Sequence, residues 1–336
     1  MTTTTAVDEM AATVAKATAV VAIGAGTHTS IGGRVSGATE VRAPSGIVDV
    51  QPFDMTVSVR AGTPYAELDA ALAEHGQECP LDPLDPSATV GGIIAAGLSG
   101  FRRLGHGPLR DHVLEVEFVT AEGKVARGGG PTVKNVTGYD VPRLFVGSLG
   151  TIGVITRVIL RTRPRPAASE WFETSTTASV LCGALFAPTA IVRAGATTSV
   201  LLEGNPADLR AETDAASLQP SSAPTHPVGV HQARISIDPA RLDALVTALD
   251  AVGGLDLLAE YGVGTVHLAS ETASALVAAR ASTEQMGGWM LRISGAPDLD
   301  PFGVAFPAVA LQRRIRHALD PTGKFSPGRI PATETR

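Results

Sequence analysis

Two glycine- and hydroxyl-rich stretches carry the residue types from which a phosphate site is built. The first is Gly24-Ala25-Gly26-Thr27-His28-Thr29-Ser30, which follows the apolar run Val20 to Ile23. A strand that ends in such a turn presents bare backbone N–H groups, and those groups suit an anion. The second lies within residues 82–113, DPLDPSATVGGIIAAGLSGFRRLGHGPLRDHV, with glycines at 91, 92, 97, 100, 105 and 107. Thr89 to Gly92 reads as the start of a short helix running through Ile93, Ile94, Ala95 and Ala96. Its first N–H groups have no partner inside the helix, which suits an anion. Each stretch also has a plainer reading, the first as a strand–turn and the second as a glycine-rich packing corner. Neither contains G-x-G-x-x-G in the setting of a Rossmann unit, and the acidic residue expected after the second strand of such a unit is not obvious.

The elements that must position these stretches follow from periodicity and turn chemistry. The chain reads as a helix over 7–18, a strand over 20–23, and strands over 46–50 and 55–60. Thr63 as N-cap and Pro64 at the first position open a helix that buries Leu68 and Leu72 and stops at Gly76. Leu114, Val116 and Phe118 alternate with Glu115 and Glu117, the pattern of a half-buried strand. Ala121-Glu122-Gly123 turns it into a strand over 124–127. A further strand over 154–162 ends at Arg163-Pro-Arg-Pro166, a break that marks a domain boundary. Residues 167–230 read as irregular, with a helix at 206–217 and a Pro/Ser loop at 219–227. From 233 the order becomes β-α-β-β-α-β, the ferredoxin-like split unit. Its strands are 233–237, 255–261, 265–269 and 289–294. Its first helix is capped by Asp238-Pro239 with Leu242, Leu245, Val246 and Leu249 on one face, and its second spans 270–285. A last helix, about 303–319, leads to Asp320-Pro-Thr-Gly-Lys-Phe-Ser-Pro-Gly-Arg329.

A chain of 336 residues is long enough for two domains. With 44% hydrophobic and 18% charged residues it has the composition of a soluble globular protein. Net charge is −6, and no basic patch exceeds Arg102-Arg103 or Arg161-Thr-Arg-Pro-Arg165, which argues against a nucleic-acid partner. No apolar run approaches the ~20 residues of a membrane helix, and no signal peptide is visible at the N-terminus. Cys79 and Cys182 are the two cysteines, outside any C-x-x-C pair. That argues against structural disulfides, iron–sulfur clusters and cysteine zinc sites. The expected location is the cytoplasm.

Five segments occur together in one order: Gly24–Thr29, Pro83–Gly100, Gly107-Pro-Leu-Arg-Asp111, Thr132-Val-Lys-Asn-Val-Thr-Gly-Tyr-Asp140 and Val146-Gly-Ser-Leu-Gly-Thr-Ile-Gly-Val-Ile155. In this they resemble the FAD-binding domain of the vanillyl-alcohol oxidase/p-cresol methylhydroxylase superfamily. Within it they look most like the FAD-binding E subunits of bacterial glycolate oxidases, through Ala96-Gly-Leu-Ser-Gly-Phe-Arg-Arg103, Lys134-Asn135 and Phe325-Ser-Pro-Gly-Arg329. The resemblance is greatest over 20–165, less at 310–330 and least across the middle.

The resemblance implies an α+β chain: a two-subdomain PCMH-type FAD-binding domain at 1–165, and a small ferredoxin-like α+β cap at 166–310 over the flavin's substrate face. Residues 311–336 would return to the FAD domain. It implies FAD lying extended between the subdomains. Gly24, Ala25, Gly26, Thr27, His28 and Thr29 would wrap the pyrophosphate. Pro83, Ser87, Thr89, Gly91 and Gly92 would continue the cradle, and Ala95, Ala96, Ser99 and Gly100 would run beside the flavin ring. Arg110 and Asp111 would be structural at the site's edge, and Gly150, Gly153 and Ile155 would line the adenosine side. Some relatives attach flavin covalently through a histidine in the first turn. That histidine stands where Thr27 stands here, so His28 is one residue away and non-covalent FAD is expected.

Departures from the family bear on function. Members acting on 2-hydroxy acids, including the companion D subunit, carry a G-H-x-G-D-G-N-x-H motif in the cap, and nothing in 167–310 resembles it. Ser326 stands where the family often has asparagine. His226 and His231 sit in a Pro-rich loop without a nearby carboxylate and read as solvated, so no metal is expected. His106 reads as an exposed loop histidine near the flavin edge. Lys134, Asn135 and Tyr139 read as fixing a loop and the domain's interior. The cap offers His267 and a few arginines for a carboxylate (Arg234, Arg241, Arg280, Arg292). A base to take the proton of a substrate hydroxyl is not identifiable.

The resemblance therefore implies an FAD-binding subunit of a glycolate/2-hydroxy-acid dehydrogenase complex. It would transfer electrons beside a catalytic flavoprotein subunit and an iron–sulfur subunit, with any membrane association carried by those partners. The alternatives are a free-standing FAD-dependent oxidoreductase of a small hydroxylated substrate and, of another class, a scaffold that has lost FAD.

Overall fold

The computed structural model describes residues 3–131, 139–303 and 308–330. The chain divides into two compact units. The first comprises Met1–Gly100, Pro108–Arg165 and Ala308–Arg336, and the second Phe101–Gly107 and Pro166–Pro307. The run expected at 1–165 is thus interrupted. Phe101–Gly107 joins the second unit because Gly105 N donates to Thr189 O at 3.0 Å and Phe101 packs edge-on to Trp171. The last segment begins at 308 rather than 311.

In the first unit the opening helix, Thr3–Lys16, packs Met10, Ala11 and Val14 against Val20, Val41, Val119, Val154 and Phe325. The strands in chain order are β1 (Val20–Ala22), β2 (Thr39–Val41), β3 (Ile47–Gln51), β4 (Thr56–Arg60), β5 (Gln77–Glu78), β6 (Val113–Val119), β7 (Val125–Gly129), β8 (Val154–Arg161) and β9 (Arg163–Pro164). β1 pairs in parallel with β2, a three-residue strand too short for its periodicity to show in the sequence. The main sheet runs β3-β4-β8-β6-β7. The alternation read in β6 holds, but its polar side is not solvated. Glu117 is 5% exposed, accepting from Thr156 Oγ1 at 2.8 Å and Arg127 Nε at 2.9 Å, while Arg157 pairs with Glu115 at 2.8 Å. Thr63 does not cap the following helix. Its hydroxyl oxygen accepts from Gly46 N at 2.9 Å, and the helix begins at Tyr65 with Pro64 as N-cap.

The C-terminal segment closes this unit. The last helix is Val309–Leu319, shorter than expected, and residues 304–307 lie outside the described ones. Val20 N donates to Lys324 O at 2.9 Å, and Ser326 N donates to Val20 O at 2.7 Å, so β1 is paired on both edges. The buried Lys324 ammonium donates to Val14 O at 2.8 Å and Ala121 O at 2.9 Å. The buried Asp320 carboxylate accepts from Lys324 N at 3.0 Å and Phe325 N at 2.7 Å.

The second unit is one antiparallel sheet. Its strands are β10 (Ala168–Thr174), β11 (Ala190–Ala194), β12 (Thr197–Gly204), β13 (Gln219–Pro220), β14 (His231–Ser236), β15 (Asp256–Glu260), β16 (Thr265–Ser270) and β17 (Trp289–Ser294). They run β13-β10-β12-β11-β15-β16-β14-β17. β14 to β17 are the ferredoxin-like unit read from the sequence. Residues 167–230 are not irregular, since β10, β11 and β12 extend the same sheet. β10 pairs with β12 across the helix Ala178–Ala184, and such non-local pairing leaves little local signal. One face buries Phe172, Val200, Leu202, Ile191, Ala259, Val266, Leu268 and Ile235 against the helices. The alternation of side chains and the strand register put Trp171, Leu201, Glu203, Val192, Leu258, Glu260, His267 and Arg234 on the other. No helix of the described residues is long and apolar enough to cross a membrane.

The Asp320 brace is testable. Asp320→Ala strands two buried N–H groups, and the expected loss is about 2–4 kcal/mol, measured by urea unfolding followed by circular dichroism. A loss below about 0.5 kcal/mol, the scale of an ordinary surface change, would show that the brace does not hold the unit.

Candidate functional site

A cavity in the first unit opens beside the end of β1, with about 850 Å³ of empty space including its mouth. Its first wall is the loop Gly24–Thr29. Among the described hydrogen bonds the backbone N–H groups of Gly24, Ala25, Gly26, Thr27 and His28 take no internal partner. On either side of the run, Ile23 N donates to Val41 O at 3.0 Å, Thr29 N to Gly26 O at 3.5 Å and Ile31 N to His28 O at 3.2 Å. The loop is pinned through its carbonyls instead. Arg42 Nη1 donates to Gly24 O at 2.7 Å. Arg329 Nη1 donates to Thr29 O at 2.5 Å and Ile31 O at 3.0 Å. A run of five N–H groups without an internal partner is the kind of backbone that suits an anion.

The second wall is the helix Val90–Ala96, capped by Thr89, whose hydroxyl oxygen accepts from Gly92 N at 3.3 Å. Here the structure corrects the sequence reading. The first N–H groups of this helix are not available to an anion, because Val90 N donates to Thr63 O at 2.9 Å and Gly91 N to Ala61 O at 2.8 Å. The glycines serve close approach: a Cβ on Gly91 would lie 2.8 Å from Ala61 Cβ, and one on Gly24 would collide with Thr89 Oγ1. The third wall is Leu149, Gly150 and Gly153–Ile155. Leu149 N donates to the Ala95 carbonyl at 2.8 Å, and Ser326 Oγ donates to Gly150 O at 3.1 Å.

Of the residues expected at a cofactor, the cavity gathers Gly24, Ala25, Gly26, Thr27, His28, Thr29, Thr89, Gly91, Gly92, Ala95, Ala96, Gly150, Gly153 and Ile155. It does not gather Pro83, Ser87, Ser99, Gly100, Arg110 or Asp111. Ser87 is exposed, and its N–H and hydroxyl both donate to Asp85 Oδ1, at 2.8 and 2.6 Å. Gly100 N donates to Asp82 O at 2.6 Å. Asp111 faces Arg110 at 3.8 Å and Arg143 at 3.5 Å on the surface. Lys134 and Asn135 lie outside the described residues, and Tyr139 is 93% exposed rather than interior. The sequence reading missed Ala43, Ala61, Gly62, Leu149, Arg42 and Arg329. Arg329 ends a quoted motif, but its role depends on reaching a loop at the other end of the chain.

Among the described residues the lining contains no carboxylate and one permanent charge, that of Arg329. Small residues, free N–H groups and a guanidinium suit a flat molecule carrying phosphates. The family model described as an FAD binding domain matches residues 2–129.

The chain is 42% identical to the glycolate oxidase subunit GlcE of Escherichia coli over 149 residues, 44% of this chain and 43% of that protein. It is 43% identical to a D-lactate dehydrogenase of Archaeoglobus fulgidus over 105 residues, 31% of this chain and 24% of that one. It is 37% identical to the glycolate oxidase subunit GlcD of Bacillus subtilis over 125 residues, 37% and 27% of the two. The match spans less than half the length of each of these relatives. Among solved structures, an alkyldihydroxyacetonephosphate synthase superposes with a TM-score of 0.69 over 95% of this chain and 74% of that one, at 16% identity. That likeness shows the fold.

Within the stretch matched by the FAD binding domain, Phe101–Gly107 is the part that belongs to the second unit. His106 is not an exposed loop histidine. Its side chain is 5% exposed, with Nε2 2.7 Å from Glu203 Oε2. Arg102 meets Glu203 Oε1 at 2.9 Å, and Ser169 Oγ donates to the same oxygen at 3.0 Å. Burial works to raise the Glu203 carboxyl, but the His106 hydrogen bond and the Arg102 charge outweigh it and bring the group down to about 2. His226 is not solvated either. Its ring stacks on Phe101 at 4.3 Å and meets His267 edge-on at 4.6 Å, and burial pushes it down to about 4.

A carboxylate depressed on folding stabilises the fold above its unfolded value and loses that contribution as pH falls through its folded one. Glu203→Gln is therefore expected to lower the melting temperature at pH 7, with the gap to wild type narrowing as pH falls from about 4.5 toward 2. A gap that stays constant over that range would show that the Glu203 charge does not hold Phe101–Gly107.

Proposed function

We propose that the cavity of the first unit holds FAD without a covalent bond, and that the chain is the FAD-binding subunit of a glycolate oxidase-type 2-hydroxy-acid dehydrogenase. The observation that carries this reading is the run of five free backbone N–H groups from Gly24 to His28 at the cavity wall. They bind the pyrophosphate, and Arg329 and Arg42 hold the loop in the conformation that presents them. Ala95 and Ala96 let the flavin ring approach, and Gly150 to Ile155 take the adenosine end. When bound, FAD supplies a two-electron acceptor that can pass electrons on. His28 serves the loop. Burial pushes its imidazole below the usual histidine value, with Asp85 partly opposing, and its Nδ1 lies 2.8 Å from Thr27 Oγ1.

The names of the relatives support the partners. GlcE and GlcD are both called glycolate oxidase subunits, which supports a complex of several subunits; on the reading proposed here, this chain works beside a catalytic FAD subunit and an iron–sulfur subunit. Membrane association, where it occurs, comes through them. The cavity's glycine-lined wall, with Arg329 as its charge, also speaks against a scaffold that has lost FAD.

The purified chain is expected to be yellow and to release its flavin on acid precipitation, as non-covalent FAD does. Gly24→Ala, which puts a Cβ into Thr89 Oγ1, is expected to weaken FAD retention at least about tenfold. A colourless chain that fails to take up added FAD overturns the cofactor site. Affinity purification from the native host is expected to bring down a second flavoprotein and an iron–sulfur protein. A monomer that oxidises glycolate unaided overturns the subunit reading.

A further inference from the structure

We infer that the groove beside the last helix of the first unit, Val309–Leu319, is an anion site separate from the cofactor cavity, in which Arg313, Arg316 and His317 take the phosphate group of a small soluble molecule. The inference does not rest on the function proposed above.

The sequence sets up the charge. The chain has a net charge of −6, yet residues 309–330 hold Arg313, Arg314, Arg316, Lys324 and Arg329 against one acid, Asp320. A local excess of that sign attracts anions. Two of these cations are engaged inside the fold, Lys324 with the carbonyls of Val14 and Ala121 and Arg329 with those of Thr29 and Ile31. The other three stand on the last helix. Arg313, Arg316 and His317, at i, i+3 and i+4, share one of its faces. Like charges this close on a helix destabilise it, and this helix has no buried residue to hold it in place. An anion bound on that face supplies the missing counter-charge.

The structure makes that face the wall of a cavity with about 1060 Å³ of empty space including its mouth, lined also by Thr151, Asp320 and Ser326. Asp320 is the one carboxylate among the described lining residues, and it is already engaged. Its Oδ1 accepts from Lys324 N at 3.0 Å and Thr322 Oγ1 at 3.1 Å, and its Oδ2 from Phe325 N at 2.7 Å. Both hydroxyls are engaged too, Thr151 Oγ1 donating to Ser148 O at 2.7 Å and Ser326 Oγ to Gly150 O at 3.1 Å. The cations are the groups left to meet a ligand. Arg316 makes one long contact, from Nη1 to Ile330 O at 3.5 Å, and has no ion pair among the described residues. His317 has no hydrogen bond among them. Burial works against the Arg316 charge, and Asp320 opposes that only from a distance. Three N–H-bearing side chains against a phosphate's three terminal oxygens make a better match than against a carboxylate's two. Arg314 stands outside the lining, whereas a lipid surface or an acidic chain would use it as well. The cofactor cavity and this one share no lining residue, although they back onto one segment, Gly150 facing the first and Thr151 the second.

The test uses the full chain with excess FAD, so that the loop Gly24–Thr29 is occupied, titrated by calorimetry with inorganic phosphate, pyrophosphate and acetate at matched ionic strength. Wild type is expected to bind both phosphates at least about tenfold more tightly than acetate. Arg313→Gln and Arg316→Gln are each expected to weaken phosphate binding at least about tenfold, and Arg314→Gln to change it less than about twofold. Glutamine is a good helix former, and circular dichroism checks that each variant stays folded. Equal affinity in wild type and variants, an equal loss for Arg314→Gln, phosphate bound no better than acetate, or no binding by wild type overturns the site. Wild type is also expected not to sediment with phosphatidylglycerol vesicles. Sedimentation that all three variants lose assigns the helix to a lipid surface and overturns the small-molecule site. Flavin absorbance is read on the same samples: phosphate binding that Arg316→Gln weakens in a chain that takes up no FAD supports this site and counts against the function proposed above.

Discussion

Val20 exchanges backbone hydrogen bonds with Lys324 and Ser326, and the geometry of the cofactor cavity depends on that closure. β1 is three residues long and has β2 on one edge only. Without the C-terminal segment its second edge would be open and the loop leaving it unsupported. With that segment docked, Arg329 reaches the loop carbonyls and Lys324 ties the end of the first helix to Ala121. Arg42 holds the Gly24 carbonyl and Arg329 those of Thr29 and Ile31, while the N–H groups of Gly24 to His28 keep no partner among the described residues.

The two glycine-rich stretches divide the work differently from what their composition suggests. Both carry glycines and hydroxyls, yet only the first keeps its donors. In the second, Ala61 and Thr63 at the end of β4 accept the N–H groups of Gly91 and Val90, so this helix start is a packing joint. Its glycines matter for the space they leave, between Ala61 and Thr89 on one side and the cavity on the other. A helix N-terminus binds an anion only when nothing in the fold has already met its donors.

The sheet of the second unit has two unlike faces. One is an apolar core against four helices. The other carries Glu203, Glu260, His267 and Arg234 with the segment Phe101–Gly107. Glu203 binds that segment through Arg102 and His106. Farther along the same face Arg234 is buried as the cross-strand partner of His267, whose Nε2 lies 2.6 Å from Glu260 Oε1. Polar residues on a solvated face need no partner, but burial makes an unpaired one costly.

The sequence by itself determined the elements whose signal is local. It showed the β-α-β-β-α-β order, the apolar face Leu242, Leu245, Val246 and Leu249, the helix start at Thr89 to Gly92, and the glycine turn after β1, each written within one turn or one strand. The five-segment resemblance pointed to FAD on the same local motifs. The tertiary structure alone decided which of those motifs keep free donors, because that depends on partners far away in sequence. It also decided that β10, β11 and β12 are strands, that Phe101–Gly107 belongs to the second unit, that the His106 side chain is buried and that His226 is half-buried against Phe101 and His267. Strand pairing, burial and the loss of a hydrogen-bond donor to a distant carbonyl are properties of the packed chain, and a residue's type does not carry them.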